Sequence, residues 1–296
     1  MIVRKVRVLA ARSSRRSVIR RRLSSRPALL CVLGVVLCAG AGCGLAPLSP
    51  EATSLGYAND GVLRVSMALP KAGPGFVRAR PEDDTQFGAP LLVSALMRAA
   101  AAVARSFPGT SPLRIGDVSA EGGGGHDRHG SHRTGRDADI LFYLLDERGV
   151  SIPGSGFFAF DERGAATYDG RLVFFDVARN WALVRTLLAD EQALVQWIFC
   201  ADGIKARLLA YGAEHESDPR VLLRAAYVLH QPTRGNPHRD HFHVRVACSG
   251  DERALGCLDD GPAWPWLRNQ HEKPAWEGPG NDDVTLVRAL LARIDG

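Results

Sequence analysis

The sequence predicts an α+β domain with a small, mainly antiparallel sheet flanked by helices and long loops. Single strand-like segments alternate with helical segments, and long loops containing Gly and Pro separate many of them. The chain has no internal repeat and no heptad pattern, which argues against solenoids and coiled coils. About 250 residues follow the basic N-terminal segment, a length that suits one domain with appendages.

Residues 1–43 predict an export signal. They hold ten of the 37 Lys and Arg residues and no Asp or Glu, and an apolar run precedes Cys43. This run is shorter than the ~20 residues that a membrane-spanning helix needs. Gly40-Ala41-Gly42-Cys43 resembles a bacterial lipobox, with Gly40 where Leu is usual. We therefore expect a periplasmic lipoprotein, attached to the membrane only through a lipid on Cys43. A secreted protein and an uncleaved anchor are the alternatives.

The positive net charge of the chain comes from this N-terminal segment. The whole chain carries +5, with 37 Lys and Arg against 32 Asp and Glu. Without the ten basic residues of the segment, 27 basic residues face 32 acidic ones, and the net charge becomes −5. A nucleic-acid-binding domain needs a basic face, so we expect no nucleic-acid partner.

The remaining elements follow from turn residues and apolar periodicity. Residues 44–60 are small and polar and predict a tether, and the main domain is predicted over 61–262. Helices are predicted to begin at Pro90, after an Asp176 N-cap, and at Asp218-Pro219. Strands are predicted, from their β-branched and aromatic content, at 138–145, 171–177, 195–200 and 242–247. The tail, 263–296, is predicted to pack back on the core through a terminal helix.

Three cysteines follow Cys43, and in an oxidising compartment such residues usually pair. Cys248 and Cys257 are nine positions apart, so we favour a disulfide between them. Cys200 is then a free thiol buried in a strand-like run. A Cys-ligated zinc is the alternative, but no Cys-x-x-Cys spacing supports it.

Six of the nine histidines form two clusters a hundred residues apart. The clusters contain His126, His129 and His132, followed by Asp137 and Asp139, and then His238, His241 and His243. Neutral imidazole and carboxylate are ligands of catalytic zinc, which usually takes three of them and keeps one position open. Residues two apart on a strand point to the same face, so both clusters can supply ligands to one site. We predict a zinc site at the face of the sheet. The alternative is a set of loop histidines that hydrogen-bond locally.

These motifs resemble the penicillin-insensitive murein endopeptidases, within the zinc peptidases grouped with lysostaphin, D-Ala-D-Ala carboxypeptidase and Hedgehog. The resemblance spans residues 60–260. It is carried by Ile115-Gly116-Asp117-Val118-Ser119, His129-x-x-His132-x(6)-Asp139, Ile198-Phe199 with Ile204-Lys205, and His238-x-x-His241-x-His243-Val244-Arg245 followed by Cys248. The Glu-x-x-His of the D-Ala-D-Ala dipeptidase branch is absent from the second motif. Residues 146–195 depart from the family pattern, which leaves the substrate contacts open.

The resemblance implies that Zn²⁺ is bound by His132, Asp139 and His243. His241 is implied beside the metal, as general base or as a stabiliser of the transition state. His129 and His238 are implied as further catalytic residues that line the cleft, with a supporting role as the alternative. His129 is also expected to contact the metal in some states.

Other residues of the two clusters receive lesser roles. We expect Asp137 to orient a ligand or a loop arginine. His126 is interpreted as a loop residue. The three remaining histidines are interpreted as structural or exposed: His215, His230 and His271.

The function implied is hydrolysis of the D-alanyl-diaminopimelyl amide in cross-linked peptides of peptidoglycan. It needs no serine nucleophile and is therefore insensitive to β-lactams. One alternative is a D,D-carboxypeptidase, dipeptidase or amidase on the same scaffold. The other is a non-catalytic, zinc-containing lipoprotein that binds the cell wall. The sequence does not indicate an oligomeric state.

Overall fold

The computed structural model describes residues 52–154 and 156–267, and the export signal, Cys43 and the predicted terminal helix lie outside these ranges. The described chain is a mixed α/β fold. Its helices are α1 (Pro90–Ser106), α2 (Val177–Ala189), α3 (Asp202–His215), α4 (Pro219–Val228) and α5 (Gly250–Ala254), with a 3-10 turn over Pro265–Leu267. No helix in the described part is long and apolar enough to cross a membrane.

The strands are short, and most are two to five residues long. They are β1 (Ser54–Tyr57), β2 (Asp60–Leu63), β3 (Met67–Ala68), β4 (Ala72–Gly73), β5 (Phe76–Arg78), β6 (Phe87–Gly88), β7 (Leu113–Ile115), β8 (Asp137–Leu141), β9 (Leu144–Asp146), β10 (Ser151–Ile152), β11 (Ala165–Tyr168), β12 (Arg171–Phe175), β13 (Val195–Phe199), β14 (Leu229–His230) and β15 (His241–Val246).

The largest sheet has the order β14-β13-β15-β8-β7-β5-β4. It is mainly antiparallel, as the sequence predicts, because only the β13–β14 and β5–β7 pairs are parallel. With seven strands it is larger than the small sheet that was expected. Four of these strands, β4, β5, β7 and β14, have only two or three residues, too few to give a readable alternation of side chains.

Strands β8 and β15 lie next to each other in the middle of this sheet. Along β8, Ala138 and Ile140 enter the hydrophobic core, and along β15 Phe242, Val244 and Val246 do the same. Because successive side chains point to opposite faces, the residues between them lie on the other face. The polar face of these two strands therefore carries the charged and imidazole side chains of both sequence motifs.

The predicted helices at Pro90, Asp176 and Asp218-Pro219 are confirmed as α1, α2 and α4. The Asp176 and Asp218 side chains accept hydrogen bonds from backbone N–H groups of the first turns of α2 and α4. Helix α3 was not predicted. It buries only Ile204, Leu208, Leu209 and Gly212, which is a weak apolar stripe.

The strand predicted over 138–145 is wrong as a single element. It forms β8 and β9, which belong to different sheets. Between them, Tyr143 N donates to Asn180 Oδ1 (3.1 Å), and Tyr143 O accepts from Asp176 N (3.0 Å). The backbone of Tyr143 is thus hydrogen-bonded to the start of α2 rather than to a neighbouring strand, and the ladder ends there.

Part of the predicted tether, 44–60, has regular structure. Strand β1 pairs with β2, and Gly56 N donates to Gly256 O (2.9 Å), which joins this hairpin to the C-terminal region. Its polar composition resembles a linker, but its hydrogen bonds are made to segments remote in sequence. The predicted domain limits otherwise stay predictions. At the start of the predicted tail, Trp264 Nε1 donates to Gln196 O (2.8 Å).

The disulfide between Cys248 and Cys257 is confirmed, and Cys200 is a buried free thiol, as predicted. The bridge closes the loop that follows β15, the strand that bears the second histidine motif.

Candidate metal centre

The two histidine motifs meet across the antiparallel pair β8–β15. The register places His243 opposite Asp139 and Arg245 opposite Asp137. Side chains opposite each other on one face of an antiparallel pair lie within contact distance. Two segments about a hundred residues apart therefore contribute to one site on the polar face of the sheet.

His132 reaches this face from the loop before β8, and several hydrogen bonds fix it there. Its backbone has φ +66°, in the left-handed region that non-glycine residues seldom occupy. Ser119 Oγ donates to His132 O (2.6 Å), and His132 Nδ1 lies 2.6 Å from Val118 O. Since a carbonyl only accepts, Nδ1 carries the proton and Nε2 presents a lone pair.

Three imidazole nitrogens converge on one carboxylate oxygen. Asp139 Oδ1 lies 3.3 Å from His132 Nε2, 3.3 Å from His241 Nε2 and 3.1 Å from His243 Nδ1. His132, Asp139, His241 and His243 are all buried. The sequence-predicted metal ligands and the predicted base thus lie together.

These residues fit a divalent cation. Asp139 Oδ1 and His132 Nε2 are buried and make no aligned hydrogen bond with any described residue. Buried polar atoms without partners are rare because they are costly. Imidazole nitrogen and carboxylate oxygen are ligands that zinc prefers. Two groups of possible ligands lie here, His129–His132–Asp139 and His238–His241–His243, and within each group the ligand atoms are within 4.8 Å of one another.

Asp137 supports the site from the same polar face, two residues before Asp139 on β8. It accepts from Arg245 Nε (2.6 Å) and from His132 N (3.2 Å), and His243 Nε2 lies 3.2 Å away without the alignment of a hydrogen bond. Burial by itself raises the pKa of Asp137, but Arg245 and His243 outweigh it and hold the pKa well below its usual range. Asp137 was expected to orient a ligand or a loop arginine; its contacts are with His132, a predicted ligand, and with Arg245, which lies on β15 rather than in a loop.

His241 has a different partner at each ring nitrogen. Nε2 faces Asp139, and Nδ1 lies 2.7 Å from Asp240 Oδ1. Burial by itself lowers the pKa of His241, but the neighbouring carboxylates of Asp139 and Asp240 outweigh burial and raise the pKa to about 9. The Phe157 ring packs edge-on against this imidazole, with 5.1 Å between ring centroids.

His238 and His129 lie beside the site, each in a different one of the two ligand groups. His238 stacks on Phe199, with 5.9 Å between centroids, and burial together with the neighbouring imidazoles lowers its pKa to about 4. His129 Nε2 lies 2.8 Å from Asp117 Oδ2, and its Nδ1 lies 3.7 Å from Asp139 Oδ2. Both line an open cleft of about 520 Å³. The same cleft exposes Asp139, His241 and His243, whereas His132 lies behind its wall.

Residues 54–265 match the sequence profile of the penicillin-insensitive murein endopeptidase family. The chain belongs to this family. Three proteins named penicillin-insensitive murein endopeptidase are among its relatives. The Haemophilus influenzae protein is 26% identical over 78% of this chain and 72% of its own length. Proteins of Escherichia coli O9:H4 and Shigella boydii serotype 18 are 29% and 28% identical, over 81% of this chain and of their own lengths.

In this member of the murein endopeptidase family, the structure adds residues that sequence reasoning assigned no role. Asp117, Asp240 and Phe157 each contact a cleft histidine or its partner. Asp240 had a readable signal, since it is an acidic residue directly before His241 in the motif. Asp117 stands in the 115–119 motif that carries the resemblance, but twelve residues separate it from His129, so the sequence did not indicate their contact.

Among the described residues, the three remaining histidines do not line the cleft. His126 forms a bridge with His129 and accepts from Arg128 N (3.2 Å), as a loop residue does. His215 stacks on Tyr211, and His230 lies in β14 beside Trp197. His271, which was interpreted as structural or exposed, lies outside the described residues.

Proposed function

We propose that this chain is a zinc-dependent endopeptidase that hydrolyses the D-alanyl-diaminopimelyl amide of cross-linked peptidoglycan. The family to which the chain belongs supports a peptidase that acts on murein. The observation that carries the finer assignment is the convergence of three imidazole nitrogens on Asp139 Oδ1 at the wall of an open cleft.

Three side chains would hold the metal: His132 through Nε2, Asp139 through Oδ1 and His243 through Nδ1. Their support favours metal binding, since Val118 O fixes the tautomer of His132 and Asp137 lies behind His243. When bound, Zn²⁺ polarises the scissile carbonyl and lowers the pKa of water toward ~7.

His241 is the residue best placed to move a proton. Asp240 holds Nδ1, so Nε2 is the nitrogen that faces the reacting centre. The Asp139 carboxylate helps to raise the pKa of His241, and a cation bound to Asp139 would weaken this effect. Neutral Nε2 would then accept the proton of the attacking water, and protonated Nε2 would stabilise the oxyanion. His238, with a pKa of about 4, is neutral at neutral pH and contacts substrate as a hydrogen-bonding group. No step uses a serine nucleophile, so β-lactams, which acylate serine, do not inhibit the reaction.

Metal analysis combined with digestion of cross-linked muropeptides tests this function. Wild-type protein is expected to contain zinc and to convert cross-linked dimers into monomers, as read by mass spectrometry. Chelation abolishes this activity and added zinc restores it. His132→Ala loses both zinc and activity, whereas the control His215→Ala, an exposed residue outside the cleft, keeps both. Wild-type cleavage rates in metal-free His132→Ala protein would refute the assignment.

The products decide between the alternatives. Release of D-Ala from monomeric pentapeptides or cleavage of free D-Ala-D-Ala, without cleavage of dimers, identifies a carboxypeptidase or dipeptidase. Binding to purified sacculi without any product identifies a non-catalytic wall-binding protein.

We also propose that residues 1–43 direct export and that Cys43 carries the lipid anchor. A wall substrate requires export, and the order of basic segment, apolar run and cysteine is that of a lipoprotein signal. Cys43→Ser is expected to move the protein from the membrane fraction to the soluble periplasmic fraction. An unchanged membrane fraction would contradict the anchor.

A further inference from the structure

Asp117 is a buried carboxylate that gathers basic side chains at one wall of the cleft. Its side chain is only 1% exposed. Oδ2 accepts from Arg80 Nη1 (2.8 Å) and Arg128 Nε (3.1 Å), and Oδ1 accepts from Arg128 Nη2 (3.1 Å) and Thr85 Oγ1 (2.7 Å). Burial by itself raises the pKa of Asp117, but His129, Arg128 and Thr85 outweigh it, so the group is a carboxylate.

The guanidinium groups of Arg80 and Arg128 are held in place, but some of their N–H donors have no partner among the described residues. Arg80 is 33% exposed and Arg128 is 41% exposed, and both line the cleft. Arg80 lies over the Phe157 ring at 4.7 Å, and Arg128 also donates to Asp83 (2.7 Å). Arg80 Nε and Nη2 and Arg128 Nη1 make no hydrogen bond to any residue of 52–154 or 156–267. Planar guanidinium groups with free donors match a carboxylate.

The other charged groups of the cleft are engaged differently. Arg245 is bound to Asp137 and Asp260, and Asp240 is bound to His241. Arg234 is exposed and forms no ion pair with the described residues, so nothing fixes its guanidinium. Arg80 and Arg128 are therefore the cleft cations that are both held in place and able to donate further.

One or two side chains separate these arginines from the residues of the proposed metal centre. Asp117 connects through His129 to Asp139, and Arg80 connects through Phe157 to His241. In a D-alanyl-diaminopimelyl cross-link, the carbon that carries the scissile amide nitrogen also carries a free carboxylate. One substrate can therefore present the amide and the carboxylate to neighbouring parts of the same cleft.

We propose that Arg80 and Arg128, positioned by Asp117, form a subsite for the substrate carboxylate next to the scissile amide. This subsite rests on the proposed function and explains how the cleft selects amides with an adjacent carboxylate. Asp83 and Asp117 balance the charges of the two arginines, so recognition depends on directed donors rather than on excess positive charge.

A pair of synthetic cross-linked peptides tests the subsite, one with the free carboxylate and one with a carboxamide in its place. Binding is measured by calorimetry on metal-free full-length protein, and kcat and KM on the zinc-loaded protein. Charged hydrogen bonds of this kind give about 10-fold or more in affinity. Wild-type protein is expected to prefer the carboxylate by that factor, mainly through KM. Equal affinity and equal KM for the two peptides would overturn the subsite.

Matched variants separate directed recognition from general charge. Arg80→Gln and Arg128→Gln each are expected to lose the carboxylate preference with unchanged zinc content, whereas Arg234→Gln keeps it. Asp117→Asn tests whether the affinity for the carboxylate peptide rises or falls when the buried anion is removed. Simple charge predicts tighter binding of the carboxylate when the anion is removed, but positioning predicts weaker binding because the guanidinium groups lose their anchor. Tighter binding in Asp117→Asn, or an equal loss in Arg234→Gln, contradicts the proposal.

The experiment distinguishes two failures. If wild-type protein cleaves both peptides at the same kcat/KM, the subsite is wrong and the endopeptidase function stands. If it cleaves neither, the proposed function is wrong, and the calorimetric preference of the metal-free protein still decides whether the arginines bind a carboxylate. Circular dichroism identifies any variant that fails to fold, and Arg80→Gln and Arg128→Gln change partly exposed side chains.

Discussion

The two nitrogens of His241 illustrate how one neighbour sets the chemistry of a side chain. Asp240 holds Nδ1, and the strand position of His241 aims Nε2 at Asp139. An imidazole without such a partner samples both tautomers and more than one rotamer. The Asp240 carboxylate therefore pre-organises the proposed base before substrate binds.

We predict that Asp240→Asn lowers kcat for cross-linked muropeptides by about 10- to 100-fold, the cost usual for losing an orienting partner of a site histidine. KM and zinc content are expected to change little, because Asp240 is not among the proposed ligands. Steady-state kinetics and metal analysis measure these quantities. Glu147→Gln, an exposed acidic residue outside the cleft, is the control. An unchanged kcat in Asp240→Asn would show that His241 needs no orienting carboxylate.

Cys200 shows the opposite case, a reactive group made inert by its surroundings. Burial raises the pKa of its thiol to about 12. The thiolate is the reactive species, so almost none is present at pH 8. We predict that iodoacetamide leaves Cys200 unmodified in folded protein at pH 8 and modifies it fully in urea, as measured by mass spectrometry. Rapid alkylation of the folded protein would contradict this burial.

At the scale of elements, the site depends on how the chain enters β8. Gly135 has φ +67°, and a Cβ there would lie 2.8 Å from Ala89 N and 2.7 Å from a Leu63 side-chain carbon. Ala89 N also donates to Gly135 O (2.8 Å). This tight turn places Asp137 and Asp139 on the polar face two and four residues later.

We predict that Gly135→Ala destabilises the fold by about 2–3 kcal/mol, because backbone strain and a steric clash add together. Gly149→Ala is the matched control, since Gly149 has φ +73° but nothing within 4 Å of its Cβ position. It is expected to lose only about 1 kcal/mol from backbone strain. Urea unfolding measures both. Equal losses would show that the close approach at Gly135 is not important.

For the whole molecule, Arg136 joins three parts of the chain beside the site. It is buried and donates to Asp259 Oδ1 (2.7 Å), to Leu258 O (2.7 Å) and to Gly56 O (3.4 Å). Asp259 also accepts from Cys248 N (3.0 Å). Cys248, at one end of the disulfide loop, thus helps to hold Asp259 in place. Asp259 in turn pairs with Arg136, the residue directly before Asp137.

We predict that the double variant Cys248→Ser/Cys257→Ser loses about 2–3 kcal/mol of unfolding free energy. This is the chain-entropy effect of a disulfide between cysteines nine positions apart. Urea unfolding with and without reducing agent measures it. Reduction is expected to bring the wild-type midpoint down to that of the double variant and to leave the variant unchanged. Equal midpoints for oxidised wild type and variant would contradict a stabilising role.

Local signals in the sequence determined much of this protein. The caps of α2 and α4, the Cys248–Cys257 pair and the two-residue alternation around His241-x-His243 all depend on neighbours in sequence. They were sufficient to predict the strand that bears the second motif and the convergence of both motifs. The resemblance to the murein endopeptidases rests on the same spacings.

Tertiary structure alone decided the contacts between remote segments. The ladder ends at Tyr143 because Asn180, 37 residues later, takes its backbone N–H. Asp117 meets Arg80 because β5 pairs with β7, and it meets His129 because the loop between β7 and β8 folds back on itself. Such contacts depend on how elements fit in three dimensions, and a hydrogen bond across tens of residues leaves no periodic trace in the sequence.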